Sequence, residues 1–336
     1  MRSSWRAALG GLLSAALIYW TLRGISAAQV AHALGAANPL LFAGSVFCAT
    51  AIFGLRAIRW RVILDPVAPN LPLGPLWRST AIGMMVNNVV PARAGEIARA
   101  YALTREAPVS FAAALASLAV DRLFDAVVLL LLAATALIDP SLAGTATLAG
   151  RSLGSFAIGA GTVVLFLLLI LYGLVFFPAR LLALFELFAR RVSPTVEERG
   201  RRTLETFVRG LSVLRSPARF ASVFGWTVAH WVLNGVGFWL AFRAVGITAP
   251  FSAALFLQAF IALGTAVPAL PGFFGVFEYM SVQGLSVYGV SQQQAATWAI
   301  GYHLLSFIPI TLIGAWYFAR LGVGLRALQA PAETAQ

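Results

Sequence analysis

The sequence predicts an all-α polytopic membrane protein, with about six full spans and two re-entrant or broken helical hairpins. Two observations predict this class. Of the 336 residues, 60% are hydrophobic and only 11% are charged, and the apolar residues fall in runs of about 20. Soluble domains average about 45–50% apolar and about 25% charged residues, so the chain lacks the charge needed to cover a water-facing surface. The composition excludes a soluble enzyme, a disordered chain and a secreted disulfide scaffold.

The net charge of +12 comes from an excess of basic residues, and all 24 of these are arginine. We expect no nucleic-acid partner, because the chain has no soluble segment large enough for a nucleic-acid-binding fold. Membrane topology explains the arginines instead, since cytoplasmic loops carry an excess of basic residues. The single cysteine, Cys48, lies in an apolar run and is expected to pack within the membrane.

Six apolar segments are long enough, or nearly so, to cross a hydrocarbon core that needs roughly 20 helical residues. Two further stretches are interrupted by proline: residues 79–90 stop at Pro91, and residues 251–267 stop at Pro268. The first covers about half a bilayer at ~1.5 Å per residue, which favours a hairpin that enters and leaves on one side. The predicted spans are residues 7–22, 39–58, 109–138, 154–177, 220–242 and 291–319.

Arginine placement favours both termini on the cytoplasmic side of a bacterial inner membrane. With re-entrant hairpins, eighteen arginines face the cytoplasm and three face outside. This count puts Arg56 and Arg59 among the cytoplasmic arginines and leaves three others at membrane depth. If only the first hairpin crossed fully, the nine arginines of the segment 178–219 would lie outside, against the rule. The first span has the basic start of a signal peptide but a longer apolar core, so we expect a retained anchor.

The segment 178–219 is a sizeable polar stretch, and it predicts an amphipathic helix on the cytoplasmic face. Ser193-Pro194 and Thr195-x-x-Glu198 are helix-start signals, and apolar residues then recur at helical spacing. Its arginines are expected to bind anionic lipid head groups. Regulation or docking of a protein partner is the alternative. Residues 323–336 are expected to form a short cytoplasmic tail.

Matching interruptions in the two halves of the chain predict an internal repeat. Val90-Pro91-Ala92 and Val267-Pro268-Ala269 begin the two breaks, and each is followed by glycine and a glutamate at membrane depth. Residues 1–150 and 151–322 are therefore predicted to form two membrane repeats. Because each half holds an odd number of spans, the second is inverted, and matched breaks in inverted repeats point to a transporter's binding site. The residues expected to form the hairpins are Pro91, Gly95, Pro268, Pro271, Gly272 and Gly275.

Seven ionisable residues are expected inside the bilayer, where each costs several kcal/mol unless it is paired or hydrated. They are Arg93, Glu96, Arg99, Asp121, Arg122, Asp125 and Glu278. The first three are spaced three residues apart and so lie near one helix face, and Asp121 and Asp125 share a face of a later span. Glu278 stands alone in its segment. In one interpretation these charges only neutralise one another. In the other, the arginines bind phosphate or another anionic head group while the carboxylates bind an amine or carry protons.

Other polar side chains at membrane depth are expected to form interhelical hydrogen bonds, and His303 is also a candidate proton relay. We expect no metal and no cofactor, since the sequence has no P-loop, no dinucleotide-binding glycine motif, no HExxH and no CxxC. The polar residues in question are Asn87, Asn88, His230, Asn234, Gln258, Tyr302 and His303.

Three motifs carry a family resemblance: NNVVPARAGEIARAYAL (87–103), DRLFD (121–125) and VPALPGFFGVFE (267–278). They resemble the lysylphosphatidylglycerol synthase transmembrane-region family of flippase-like membrane proteins. In bifunctional members a soluble aminoacyl-transferase domain follows the membrane region. The resemblance here implies a stand-alone member without that domain, which moves a phospholipid, hopanoid or lipid-linked sugar between leaflets. The matching positions are Pro91, Arg93, Gly95, Glu96 and Arg99, then Asp121 and Arg122, then Pro268, Pro271, Gly272, Gly275 and Glu278.

One position departs from the expected pattern. Where a glycine pair is expected after Pro271, the chain reads Gly272-Phe273-Phe274-Gly275. This departure puts the turn of the second hairpin in doubt.

Two functions of other classes stay open. One is a membrane-embedded glycosyltransferase with Asp121 and Asp125 as acid and base, although no loop is large enough to hold a nucleotide sugar. The other is a non-catalytic partner of a lipid-synthesis complex. The expected partners are a membrane lipid head group, anionic lipids at the cytoplasmic face, and either a second copy of the chain or a lipid-synthesis enzyme.

Overall fold

The computed structural model describes residues 4–90, 94–139, 216–265 and 270–322, with short pieces between residues 142 and 201. In these residues the fold is all-α, as predicted, apart from a two-residue antiparallel ladder of Thr147–Leu148 with Arg151–Ser152. Most of the predicted amphipathic segment 178–219, most of the predicted span 154–177 and the tail 323–336 lie outside the described residues.

The long helices α3, α6, α7 and α10 begin at residues whose side chains cap them. Side-chain oxygens accept backbone amide hydrogens at these starts, with Asn38, Ser110, Ser216 and Ser291 as the capping residues. In chain order the helices are α1 (Ser4–Leu22), α2 (Ala27–Gly35), α3 (Pro39–Leu64), α4 (Leu73–Val89), α5 (Gly95–Glu106), α6 (Phe111–Ala133), α7 (Pro217–Ala244), α8 (Phe251–Gly264), α9 (Val276–Ser286) and α10 (Gln292–Arg320).

Helix length and composition indicate membrane crossing for α3 and α10, and for α1 and α2 together as a span bent by 78°. The 23-residue α6 holds three charged residues in its middle. By contrast, α8 and α9 have 14 and 11 residues. At ~1.5 Å per residue, neither covers the ~30 Å hydrocarbon core. These lengths agree with a broken hairpin, and the number of crossings stays a prediction.

Two four-helix units follow the same order of long and short helices. Helices α3 to α6 have 26, 17, 12 and 23 residues, and α7 to α10 have 28, 14, 11 and 29. The packing repeats as well. The first helices of the two units, α3 and α7, pack on each other. The second helix of each unit packs on the last helix of the other, so α4 contacts α10 and α8 contacts α6. Within each unit the two short helices pack on each other. Exchanging the two units leaves this pattern of contacts unchanged.

The equivalent helices α3 and α7 run antiparallel. At one end the Asn38 amide donates to the Ala244 carbonyl at 2.9 Å. At the other end Arg219 forms an ion pair with Asp65 at 2.8 Å. Between them the helices approach closely, since a Cβ on Gly237 would lie 3.1 Å from the Cβ of Cys48. Antiparallel packing of equivalent helices is the geometry that an inverted repeat requires.

Candidate functional site

The first break separates α4 from α5, and glycine is required where α5 begins. The Gly95 amide donates to Asn87 Oδ1 at 2.9 Å, and a Cβ on Gly95 would lie 2.1 Å from the Gly83 carbonyl oxygen. A side chain at this position would push the two helices apart. Pro91 and Arg93 lie outside the described residues, so their predicted roles stay predictions.

Seven charged side chains meet where α3, α5 and α6 pack together, and we call this group the charged cluster. It joins five residues predicted for the site with two that were assigned elsewhere. The members are Arg56, Arg59, Glu96, Arg99, Asp121, Arg122 and Asp125.

Arg59 occupies the centre of the charged cluster. Its side chain is 0% exposed, its Nη2 lies 2.6 Å from Asp121 Oδ1, and its Nη1 donates to Asp125 Oδ1 at 2.7 Å. The prediction counted Arg59 among the cytoplasmic arginines, and the structure shows that its side chain is buried in ion pairs within the protein. Helix α3 continues past the predicted end at residue 58 to Leu64, and Arg59 faces α6 instead of water.

The two carboxylates of α6 have further partners. Asp121 accepts from Arg99 Nη1 at 3.2 Å. Asp125 lies 3.1 Å from Arg122 Nη1 and accepts from Trp231 Nε1 at 2.9 Å. Asp121 and Asp125 share one helix face, as their spacing predicts. Both carboxylates are thus buried in ion pairs with arginine. This arrangement disfavours a role as a catalytic acid or base, which must exchange a proton with the substrate.

The outer part of the charged cluster contains more positive than negative charge. Glu96 pairs with Arg122 at 3.1 Å, with the Arg122 side chain 43% exposed. Arg99 is buried and stacks on Trp60, with its Cζ 4.1 Å from the ring centroid. Among the described residues, Arg99 Nε and Nη2 have no hydrogen-bond partner, and Arg56 has no carboxylate partner.

The cluster therefore holds four arginines against three carboxylates. The set of seven predicted from the sequence also holds Arg93, which lies outside the described residues, and Glu278, which is not a member of the cluster, and it leaves out Arg56 and Arg59 of α3. The excess charge faces a narrow cleft beside the first break, and the polar residues lining it are Arg56, Thr80, Asn87, Glu96 and Arg99.

The second break has two left-handed glycines. Gly272 and Gly275 have φ values of 69° and 86°, a conformation that glycine adopts without strain. The intervening Phe273, at φ 60°, stands where a second glycine was expected, and such a residue stores about 1–3 kcal/mol of strain. Helix α1 covers the break, since the Leu270 amide donates to Ser14 Oγ at 3.0 Å. Pro268 lies outside the described residues.

Glu278 is the one charged residue of α9, as its segment predicts, and its partner lies on α10. Its Oε1 lies 2.6 Å from His303 Nδ1, and its Oε2 accepts from the Gly275 amide at 2.6 Å. The other ring nitrogen of His303, Nε2, lies 2.9 Å from the Gly272 carbonyl oxygen. The sequence separation of the pair hid this contact, because the two residues sit on different helices.

Interhelical hydrogen bonds predicted at membrane depth are confirmed at two places. Asn88 Nδ2 donates to Thr311 Oγ1 at 2.8 Å, which joins α4 to α10. Asn234 Nδ2 donates to Gln258 Oε1 at 2.9 Å, which joins α7 to α8. The first bond connects the two repeat units and the second lies within one unit.

Residues 7–314 match the family described as lysylphosphatidylglycerol synthase TM region. The chain belongs to this family. The resemblance carried by the three motifs is thereby confirmed, and the protein is a membrane protein of the lysylphosphatidylglycerol synthase transmembrane-region family.

Three relatives are archaeal. A UPF0104 membrane protein of Methanothermobacter thermautotrophicus is 26% identical over 302 residues, 86% of this chain and 88% of the relative. Another from Methanocaldococcus jannaschii is 22% identical over 235 residues, 70% and 93% of the two chains. The protein named glycosyltransferase AglD of Haloferax volcanii is 35% identical over 147 residues. That match covers 41% of this chain and only 23% of AglD.

Proposed function

We propose that this protein moves a lipid with an anionic head group between the two leaflets of the membrane, and that the charged cluster binds the head group. One observation carries the proposal: among the described residues, the cluster has four arginines for three carboxylates, and Arg56 lacks a carboxylate partner. The Nε of Arg56 is buried without a hydrogen-bond partner, and burying part of a charged group without a counter-charge is costly. A phosphate would supply that charge and match the planar fork of arginine.

The architecture around the cluster supports transport. Inverted repeats with broken helices at matched positions are the arrangement in which transporters place a binding site near the middle of the membrane. The first break lies beside the arginines of the cluster, and the N-terminus of α5, which follows the break, favours an anion. A backbone broken at membrane depth is tolerated where it lines a protein cavity.

The test compares wild type with Arg56→Gln in liposomes that contain fluorescent phosphatidylglycerol, with a membrane-impermeant reductant reporting exchange between leaflets. Arg56 is chosen because no carboxylate among the described residues loses a partner with it. Losing one charge-assisted contact of about 1.5–3 kcal/mol predicts exchange slower by about 10- to 100-fold. The control is Arg219→Gln, which breaks the half-exposed pair with Asp65. If both variants exchange lipid as fast as wild type, the head-group site is wrong.

Native mass spectrometry of the gently purified protein gives an independent readout. A single lipid class retained by wild type and lost from Arg56→Gln would identify the substrate. Equal mixtures of lipids on both proteins would mean that the buried charges only pair with one another.

A second candidate function is glycosyl transfer from a lipid-linked donor, and the relationship to a protein named glycosyltransferase favours it. The structural argument against it is that Asp121 and Asp125 are buried in ion pairs with Arg59. Incubation of the purified protein with radiolabelled donor distinguishes the two, because only an enzyme releases labelled product. Co-purification of a synthase subunit would instead favour a non-catalytic role in a lipid-synthesis complex.

We further propose a cytoplasmic membrane location with both termini inside, from the distribution of the arginines. Reporter fusions at each terminus that are active on only one side of the membrane test this orientation. The mass of the protein in the same native spectra reports whether two copies associate.

A further inference from the structure

We infer that Glu278 and His303 form a proton-binding site that controls the second break. The inference extends the proposed function by naming the ion coupled to it, and it stands on a different set of residues. Two features carry it, the hydrogen-bond geometry of the pair and its counterpart in the other repeat unit.

The geometry requires one shared proton. The Gly272 carbonyl can only accept, so His303 Nε2, at 2.9 Å, carries a hydrogen. Between His303 Nδ1 and Glu278 Oε1, at 2.6 Å, there must be a second hydrogen, on the imidazole or on the carboxyl group. The pair with both hydrogens is neutral overall, whichever atom holds the shared one.

Loss of the shared proton to water leaves a neutral imidazole beside a carboxylate. A neutral imidazole has one N–H and now faces two acceptors, Glu278 and the Gly272 carbonyl. If the hydrogen stays on Nε2, the Nδ1 lone pair faces the carboxylate and the ion pair is lost. If it moves to Nδ1, the Gly272 carbonyl loses its donor. Deprotonation therefore breaks one of the two hydrogen bonds that His303 forms with the break.

These contacts bear directly on the shape of the break. The Gly275 amide donates to Glu278 Oε2, and Phe274 and Phe277 each lie 4.5 Å from the His303 ring. The same turn holds the strained Phe273 and contacts α1 through Ser14. The proton shared by Glu278 and His303 therefore controls whether α10 keeps both hydrogen bonds to this strained turn.

The first repeat unit contains an equivalent contact of a glutamate with the following long helix, but its partner is an arginine in place of a histidine. Glu96 lies in the first turn of α5 and pairs with Arg122 of α6 at 3.1 Å. Glu278 lies in the first turn of α9 and pairs with His303 of α10. Arginine stays charged throughout the physiological range, whereas histidine changes charge within it. The first unit therefore has a permanent pair, and the second has one that binds and releases a proton.

Among the described residues, no other charged side chain forms an ion pair with Glu278 or His303. Helix α8 holds no ionisable residue. The other described ionisable residues on the neighbouring helices form no ion pair with Glu278 or His303: Tyr19 of α1, His32 of α2, Cys48, Arg56, Arg59 and Arg61 of α3, Arg78 of α4, Arg219, His230 and Arg243 of α7, Tyr279 of α9, and Tyr302, Tyr317 and Arg320 of α10.

The experiment measures amide hydrogen exchange of the purified full-length protein in peptides that cover residues 270–278, at about pH 5.5 and about pH 8.5. Rates are corrected for the intrinsic pH dependence of exchange. We expect the corrected rate in wild type to rise roughly tenfold or more at the higher pH, since the opened turn loses protection. Glu278→Gln and His303→Gln are expected to abolish this dependence.

Glu96→Gln is the matched control, because it changes the equivalent glutamate of the first unit and should leave the pH dependence of residues 270–278 intact. A corrected wild-type rate equal at both pH values would overturn the inference, even if either variant failed to fold. So would a pH dependence that persists in His303→Gln. Because no lipid movement is measured, failure of this site and failure of the proposed transport function are distinguishable.

Discussion

Replacing Arg59 by methionine removes the fully buried guanidinium that bridges Asp121 and Asp125. Truncating one partner of a buried ion pair costs about 3–5 kcal/mol, because the remaining charge is left without compensation. Here Arg99 and Arg122 still lie 3.2 Å and 3.1 Å from the two carboxylates and offset part of the loss. We therefore expect the free energy of unfolding to fall by about 3 kcal/mol, the lower end of that range.

Thermal unfolding in detergent measures this change, with the fluorescence of the nine tryptophans as the signal. A loss of about 3 kcal/mol predicts a Tm lower by about 4 °C for a chain of this length. The control Arg219→Gln breaks a half-exposed pair with Asp65, which is worth less than about 1 kcal/mol. A Tm of Arg59→Met as high as that of Arg219→Gln would refute the reasoning.

Three further predictions concern packing and surface charge. Gly95→Ala should lower the Tm by an amount that corresponds to about 3 kcal/mol or more, because its Cβ would overlap α4, whereas Gly54→Ala, with open space around it, should not. Trp60→Phe should cost about 1–2 kcal/mol in chemical unfolding, since it removes an indole donor and the larger ring under a guanidinium. Neutralising Arg105 and Arg320 together, both lining one basic cleft, should weaken binding to anionic vesicles about tenfold or more, with less effect at high salt.

The helices around the breaks could be predicted from the sequence because proline and glycine act locally. Helix α8 begins at Phe251, the first residue of the predicted stretch. Helix α4 begins at Leu73, six residues before the predicted stretch at 79–90. Its first turns contain Arg78, which lowers the local hydropathy, and only the contact with Glu106 explains why that arginine lies in the helix.

The pairing of charges could be predicted only in part. Spacing along one helix put Asp121 and Asp125 on a common face, and that spacing is a property of the helix itself. Arg59 was missed because arginines near a helix end are usually cytoplasmic, and nothing in its neighbourhood reveals the carboxylates of α6. The contact between Glu278 and His303 was missed for a similar reason, since it depends on how two helices are placed in space.

The antiparallel seam between α3 and α7 has a consequence for the time course of synthesis. Arg59 and Asp125 are 66 residues apart in the chain, while Asp65 and Arg219 are 154 apart. At roughly 5–20 residues per second, Asp125 is made about 3–13 s after Arg59, whereas the partner of Asp65 follows about 8–31 s after it. Asp125 is therefore available to pair with Arg59 before α7 is made, and the face of α3 that carries Cys48 is covered by Gly237 of α7 only later. During that interval the nascent first unit has its buried ion pairs but an uncovered helix face, which is the surface a membrane chaperone would have to shield.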